Sequence, residues 1–147
     1  MTSVKKLPLV LATMIVILVI SLFVLLGFLP PLNVSALIQR QREEIENINE
    51  KIRLARDTGN EYIEIFKMES TTKCIWYESN EKVLKVVFHQ EKEPVSIPVD
   101  VGWGASGKFN SKDNALISPG FSYKFYITKL GIVDCLNCEN NVGRCEV

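Results

Sequence analysis

Residues 7–29 read LPLVLATMIVILVISLFVLLGFL, an uninterrupted apolar stretch that contains none of the chain's 17 basic or 17 acidic residues. About 23 residues at 1.5 Å each make roughly 34 Å of helix, enough to cross the hydrocarbon core of a bilayer. Pro8 falls in the first turn, where its missing N–H is harmless. Pro30-Pro31 stops the helix, since neither residue continues it. Lys5 and Lys6 flank the start and no comparable basic cluster follows the end. The positive-inside rule therefore predicts a cytoplasmic N-terminus (1–6), a single span (7–29) and everything beyond it outside the cell membrane. The competing reading is a secretory signal cleaved near Ala36, because Val34-Ser35-Ala36 has the small-residue spacing that signal peptidase uses. The apolar run is longer than a usual signal core of about 7–15 residues, which favours a retained anchor. Asn33-Val34-Ser35 matches a glycosylation sequon, and its closeness to the membrane predicts that it is unused.

Outward from the span, the pattern becomes charged with single apolar residues. Ile38, Ile45 and Ile52 recur every seven residues, with Gln41, Ile48 and Ala55 at the complementary positions, which is an a/d seam with one polar interruption. Acids crowd the first half and bases the last turns, as the helix dipole prefers, and Thr58-Gly59-Asn60 supplies the stop. Residues 30–59 thus form a Pro-Pro break and a stalk helix. Its Ile38/Ile45/Ile48/Ile52 stripe either joins a coiled coil with other membrane subunits or further copies, or packs on the chain's own following domain.

Past Gly59 the period falls to two. Residues 62–68, 73–77, 82–88, 95–101 and 122–128 read as strands, with a short one at 131–133. Ser79-Asn80-Glu81 and Pro119-Gly120 are turns. Pro94 and Pro98 push the fourth strand to an edge. That density of short strands predicts a small all-β, immunoglobulin-like antiparallel sandwich over residues 60–147, outside the membrane.

Chemistry-bearing motifs are few. Gly102-Trp103-Gly104-Ala105-Ser106-Gly107 spells G-x-G-x-x-G after a strand, but the stretch that follows lacks a helical period, so no helix N-terminus meets a pyrophosphate. Trp103, in a loop, is either a core plug or an exposed contact, and the loop position leans slightly toward contact. Cys74, Cys135, Cys138 and Cys145 lie on the exported side, where an even count predicts two disulfides. Cys138–Cys145 with Cys74–Cys135 is the preferred pairing. A four-cysteine zinc site is the alternative, although a second C-x-x-C is missing. Redox catalysis by Cys135/Cys138 is disfavoured, since the pair does not open a helix. His89 is the single histidine, at a strand end, and Asp100 is expected to be solvated. No hydrolase constellation can be assembled. The reading is therefore non-enzymatic and without a cofactor, and zero net charge argues against nucleic acid as a partner.

The layout resembles archaeal type IV pilin-like proteins, including the single-span subunits associated with the archaellum. Lys5-Lys6 followed by Leu7-Pro8-Leu9-Val10-Leu11-Ala12-Thr13-Met14-Ile15 looks like that family's basic pair and apolar start. Residues 115–125, ALISPGFSYKF, are similar to the Pro-Gly turn before a late strand. The resemblance implies a subunit of a surface assembly. Three departures point to an accessory subunit before a major filament protein: no Gly or Ala after Lys6, no Glu near the start of the apolar run, and the Pro30-Pro31 break. Two further classes stay open. One is a membrane-tethered binding module with an apolar pocket ringed by Trp103 and Trp76. The other is a thiol or zinc accessory protein.

Overall fold

The computed structural model describes residues 3–27 and 34–146. Two helices come first, α1 (Ser3–Gly27) and α2 (Val34–Thr58). The strands follow as β1 (Tyr62–Lys67), β2 (Thr72–Glu78), β3 (Val83–Phe88), β4 (Val95–Pro98), β5 (Ala115–Leu116), β6 (Ser122–Ile127), β7 (Val133–Cys135) and β8 (Val142–Gly143). A 3-10 turn, Val101–Trp103, lies between β4 and β5. The chain divides into two compact units, Met1–Asn33 and Val34–Val147. The Pro30-Pro31 break and Asn33 of the sequon lie outside the described residues.

In the first unit, the Pro8–Leu25 window has a mean hydropathy of 2.9 and none of it is buried. Length and composition alone qualify it as a span or a signal sequence. Within it the Thr13 hydroxyl is satisfied by the carbonyls of Leu9 and Val10, as a hydroxyl in an apolar helix requires.

The second unit is two antiparallel sheets, ordered β4-β3-β2-β5-β8 and β1-β6-β7. Alternation assigns the faces. In the three-stranded sheet Phe66, Tyr123, Phe125 and Ile127 are buried, while Ile63, Ile65 and Lys67 are exposed. The five-stranded sheet buries both faces. Ile75, Tyr77, Leu84, Val86 and Leu116 join the main core; Cys74, Trp76, Val87 and Ala115 make a second, smaller cluster with Cys145. The edge position expected from Pro94 and Pro98 is where β4 lies. That strand ends at Pro98, however, and Val101, expected at the end of the 95–101 strand, is exposed in the 3-10 turn.

The helical stripe is real, and its partner is the chain's own domain. Ile45, Ile48, Ile52 and Ala55 are fully buried, Ile38 packs against the same core, and α2 touches β1 and β6. Of the two partners open to the stripe, the chain's own domain is the one it meets: from Val34 the helix belongs to one compact unit with the sheets. Gln41, the polar break in the seam, explains the register. Its Oε1 accepts from Glu69 N–H at 2.7 Å and Thr72 Oγ1 at 2.9 Å, and its Nε2 donates to the Lys67 carbonyl. A fully buried amide so engaged fixes the helix against one place on the turn from β1 to β2, because any slide leaves buried polar groups unpaired.

Candidate functional site

The candidate residues resolve into three places. The first is the seam where α2 meets the loop after β4. Asp100 caps the 3-10 turn, its carboxylate accepting from Gly102 N–H at 2.9 Å. Asn49 of α2 presents its Oδ1 to both Asp100 N–H and Trp103 Nε1, each at 3.0 Å. Arg56 grips the Asp100 carboxylate with Nη1 and Nη2, and its Nε donates to the Leu130 carbonyl.

Trp103 is fully buried, not the exposed contact that its loop position slightly favours. It stands edge-on to Phe66 and Phe125 with centroids 5.8 Å away, and to Phe109 at 6.3 Å. Loops cover cores as well as binding sites, and here the indole is the largest plug between the sheets. Trp76 belongs to the separate cluster on the other face of the five-stranded sheet, so the two tryptophans do not ring one pocket.

The same geometry explains the G-x-G-x-x-G letters. A Cβ at Gly102 would run into the Gly131 carbonyl and crowd Ile52, and one at Gly104 would strike the Tyr77 ring. These glycines are there for close packing, and residues 104–114, where a phosphate-binding helix would have to run, are turns and bends.

Asp100 is thus a partnered group rather than a solvated one. Partial burial pushes its carboxyl up, but hydrogen bonds from Arg56 and Gly102, with the guanidinium charge, hold it below the usual carboxylate range. A lowered folded-state pKa contributes stability that is present above the unfolded value, about 3.9, and is lost as pH falls through the folded value. The Arg56 and Asp100 side chains are 38% and 26% exposed, so solvent screening limits the pair to about 1 kcal/mol. Asp100→Asn should lower stability by about that much at pH 7, and the difference from the parent should shrink as pH falls through the folded-state value; urea melts across pH check this.

The second place is the outer face of the three-stranded sheet. Ile63 and Ile65 are 58% and 54% exposed and sit opposite Tyr126 and Lys124 of β6.

The third is the pair of disulfides. Cys74 bonds Cys145 and Cys135 bonds Cys138, with Cα separations of 5.9 and 5.7 Å. The preferred pairing of Cys138 with Cys145 and Cys74 with Cys135 is therefore corrected. The chain end returns as the edge strand β8, paired with β5 in the five-stranded sheet, and carries Cys145 to Cys74 of β2 in the smaller cluster. The four sulfurs named for a zinc site are divided between two places, and among the described residues no group of three or more His, Cys, Asp or Glu gathers as metal ligands would. His89 is exposed in a turn after β3. The Lys108 ammonium lies 2.7 Å from Asp134 and 3.1 Å from the Cys135 carbonyl. The hydrogen bond from Lys108 draws the Asp134 carboxyl below its ordinary value.

No protein-family model, curated protein or solved structure matches this chain.

Proposed function

We propose that the chain is a single-pass, membrane-anchored extracytoplasmic subunit of a surface assembly, pilin-like or accessory and non-catalytic. The observation that carries it is the Pro8–Leu25 helix, apolar throughout and with none of its surface buried by protein. Such a surface needs lipid or other apolar helices around it. Lys5-Lys6 before it orients the N-terminus inward, and two disulfides suit the oxidising side that this orientation assigns to the rest. The five- and three-stranded antiparallel sheets support reading the domain as a small immunoglobulin-like sandwich with α2 added at its side.

Since the isoleucine stripe of α2 is spent inside its own domain, contact with a neighbouring subunit needs another surface. Val101, Leu130 and Leu136 are exposed singly in loops, whereas Ile63 and Ile65 lie together on one sheet face, and the contact is assigned to that pair. Ile63→Glu with Ile65→Glu should lower the native mass of the complex extracted in mild detergent while leaving stability within about 0.5 kcal/mol, as exposed sites usually do. An unchanged mass would count against a subunit role. Ile45→Asp or Ile48→Asp is not a clean test, because each would place a charge in the core.

Secretion after cleavage near Ala36 is the second reading. It is favoured by one feature: the buried face of α2 begins at Leu37, so a cut there spares that face. Intact mass of the protein from native membranes, after alkaline washing, separates the two. A membrane-retained product carrying residues 1–36 supports the anchor, and a washed-off product starting at Leu37 supports secretion.

A further inference from the structure

We propose that the Cys135–Cys138 disulfide is a thiol-exchange site that oxidises a dithiol in an exported client protein, and that Cys74–Cys145 is the structural bond. The two bonds differ in what they can do for the fold. Cys74–Cys145 joins residues 71 apart, whereas Cys135–Cys138 joins residues three apart. Closing so short a loop removes little freedom from the unfolded chain. Cys135 is already placed by the β6–β7 ladder, opposite Phe125, so the bond is not needed to hold the strand.

Exposure separates them by a smaller margin, since both pairs are built into apolar clusters and both border cavities. Cys74 and Cys145 are 1% and 2% exposed, and they line a cavity of about 220 Å³ with Lys73 and Arg144, Cys145 also bordering one of about 530 Å³ beside Lys112. Cys135 and Cys138 reach 4% and 8% and line an open cavity of about 500 Å³ together with Lys108, Leu136 and Glu139. The cavity gives an incoming sulfur a path to Cys138, the more exposed of the two. Lys108 supplies a cation in the same cavity, of the kind that favours a departing thiolate. Asp134, paired with it, and Glu139 moderate that effect. Exposed Leu136, beside the bond at 54%, offers an apolar contact for the client segment that carries the thiol.

The exchange proceeds in two displacements. A client thiolate attacks Cys138 Sγ, the Cys135–Cys138 bond breaks, and Cys135 Sγ leaves with the electron pair and takes a proton. The client's second thiolate then attacks its own sulfur in the mixed disulfide, forming the client disulfide and releasing Cys138 as a thiolate that is protonated in turn. Two electrons pass from client to protein, and the two client protons end on Cys135 and Cys138. The reverse steps with a small-molecule disulfide reload the site. One client disulfide is formed for each protein disulfide consumed, so the step is stoichiometric, and it does not rest on membrane anchorage.

The test is graded reduction of the full-length protein in detergent with glutathione, followed by maleimide trapping and peptide mass spectrometry. Cys135 and Cys138 should label at thiol concentrations at least tenfold below those needed for Cys74 and Cys145, with the near-ultraviolet signal of buried Trp103 unchanged. Cys135→Ser, which leaves Cys138 unpaired, should form a mixed disulfide with oxidised glutathione while folded. Labelling of both pairs together, labelling of Cys74 and Cys145 first, or a Cys138 thiol that stays inert to oxidised glutathione in the folded Cys135→Ser protein overturns the proposal.

Discussion

Trp103→Ala should destabilise the Val34–Val147 unit by about 3–5 kcal/mol, the range for losing a large aromatic side chain from a packed core. Three effects combine at this residue. Its ring is completely enclosed and is the largest of the fully buried side chains, so truncation opens a void that aromatic neighbours cannot easily fill. It makes edge-on contacts with three phenylalanines, each worth about 0.5–1.5 kcal/mol beyond simple burial. It also removes the indole N–H from Asn49 Oδ1, leaving Asp100 N–H as that oxygen's remaining donor. Trp103→Phe keeps most of the apolar volume and loses the N–H, so it should cost clearly less than alanine. Urea denaturation followed by circular dichroism gives both values. A cost near 1 kcal/mol for alanine would mean that the indole is not the plug described.

Removing Cys74–Cys145 should be the second large loss. Cross-linking residues 71 apart constrains the unfolded chain by about 4 kcal/mol in the loop-closure treatment, against about 2 kcal/mol for the three-residue link. The bond also pins the C-terminal strand, which is two residues long and held by β5 alone. Without it, β8 and the cluster of Trp76, Val87 and Ala115 lose their cover. Cys74→Ser with Cys145→Ser should therefore lower the urea midpoint much further than Cys135→Ser with Cys138→Ser. Faster backbone hydrogen exchange should be confined first to residues 141–146. Equal losses from the two double variants would contradict the division of labour between the bonds.

Sequence periodicity was informative where structure is local. The apolar run gave α1, the seven-residue spacing gave the face of α2, and alternation gave β1, β2, β3 and β6 nearly to the residue. It could not say what α2 packs against, because a stripe of Ile45, Ile48 and Ile52 reads the same whether it faces a helix or a sheet. β5 and β8 have two residues each, too few for any period to register, and they exist because partners hold them. Trp103 misled because a glycine-rich loop suggests exposure, whereas Gly102 and Gly104 are what let the loop press inward. Disulfide pairing failed for a related reason: it depends on where the chain end returns, which is a property of topology and not of spacing. Asp100 showed no signal, since its partner Arg56 lies 44 positions away.

The attachment of α2 at both ends has a mechanical meaning. Gln41 bolts the first half of the helix to the turn between β1 and β2, and Arg56 ties the last turn to Asp100 and Leu130. A pull applied at Val34 therefore loads the interior of the domain directly, without a slack spacer that could uncoil first. Tension should be borne elastically up to one threshold and then released as α2 and β1 part from the rest, while Cys74–Cys145 keeps residues 74–145 tied together.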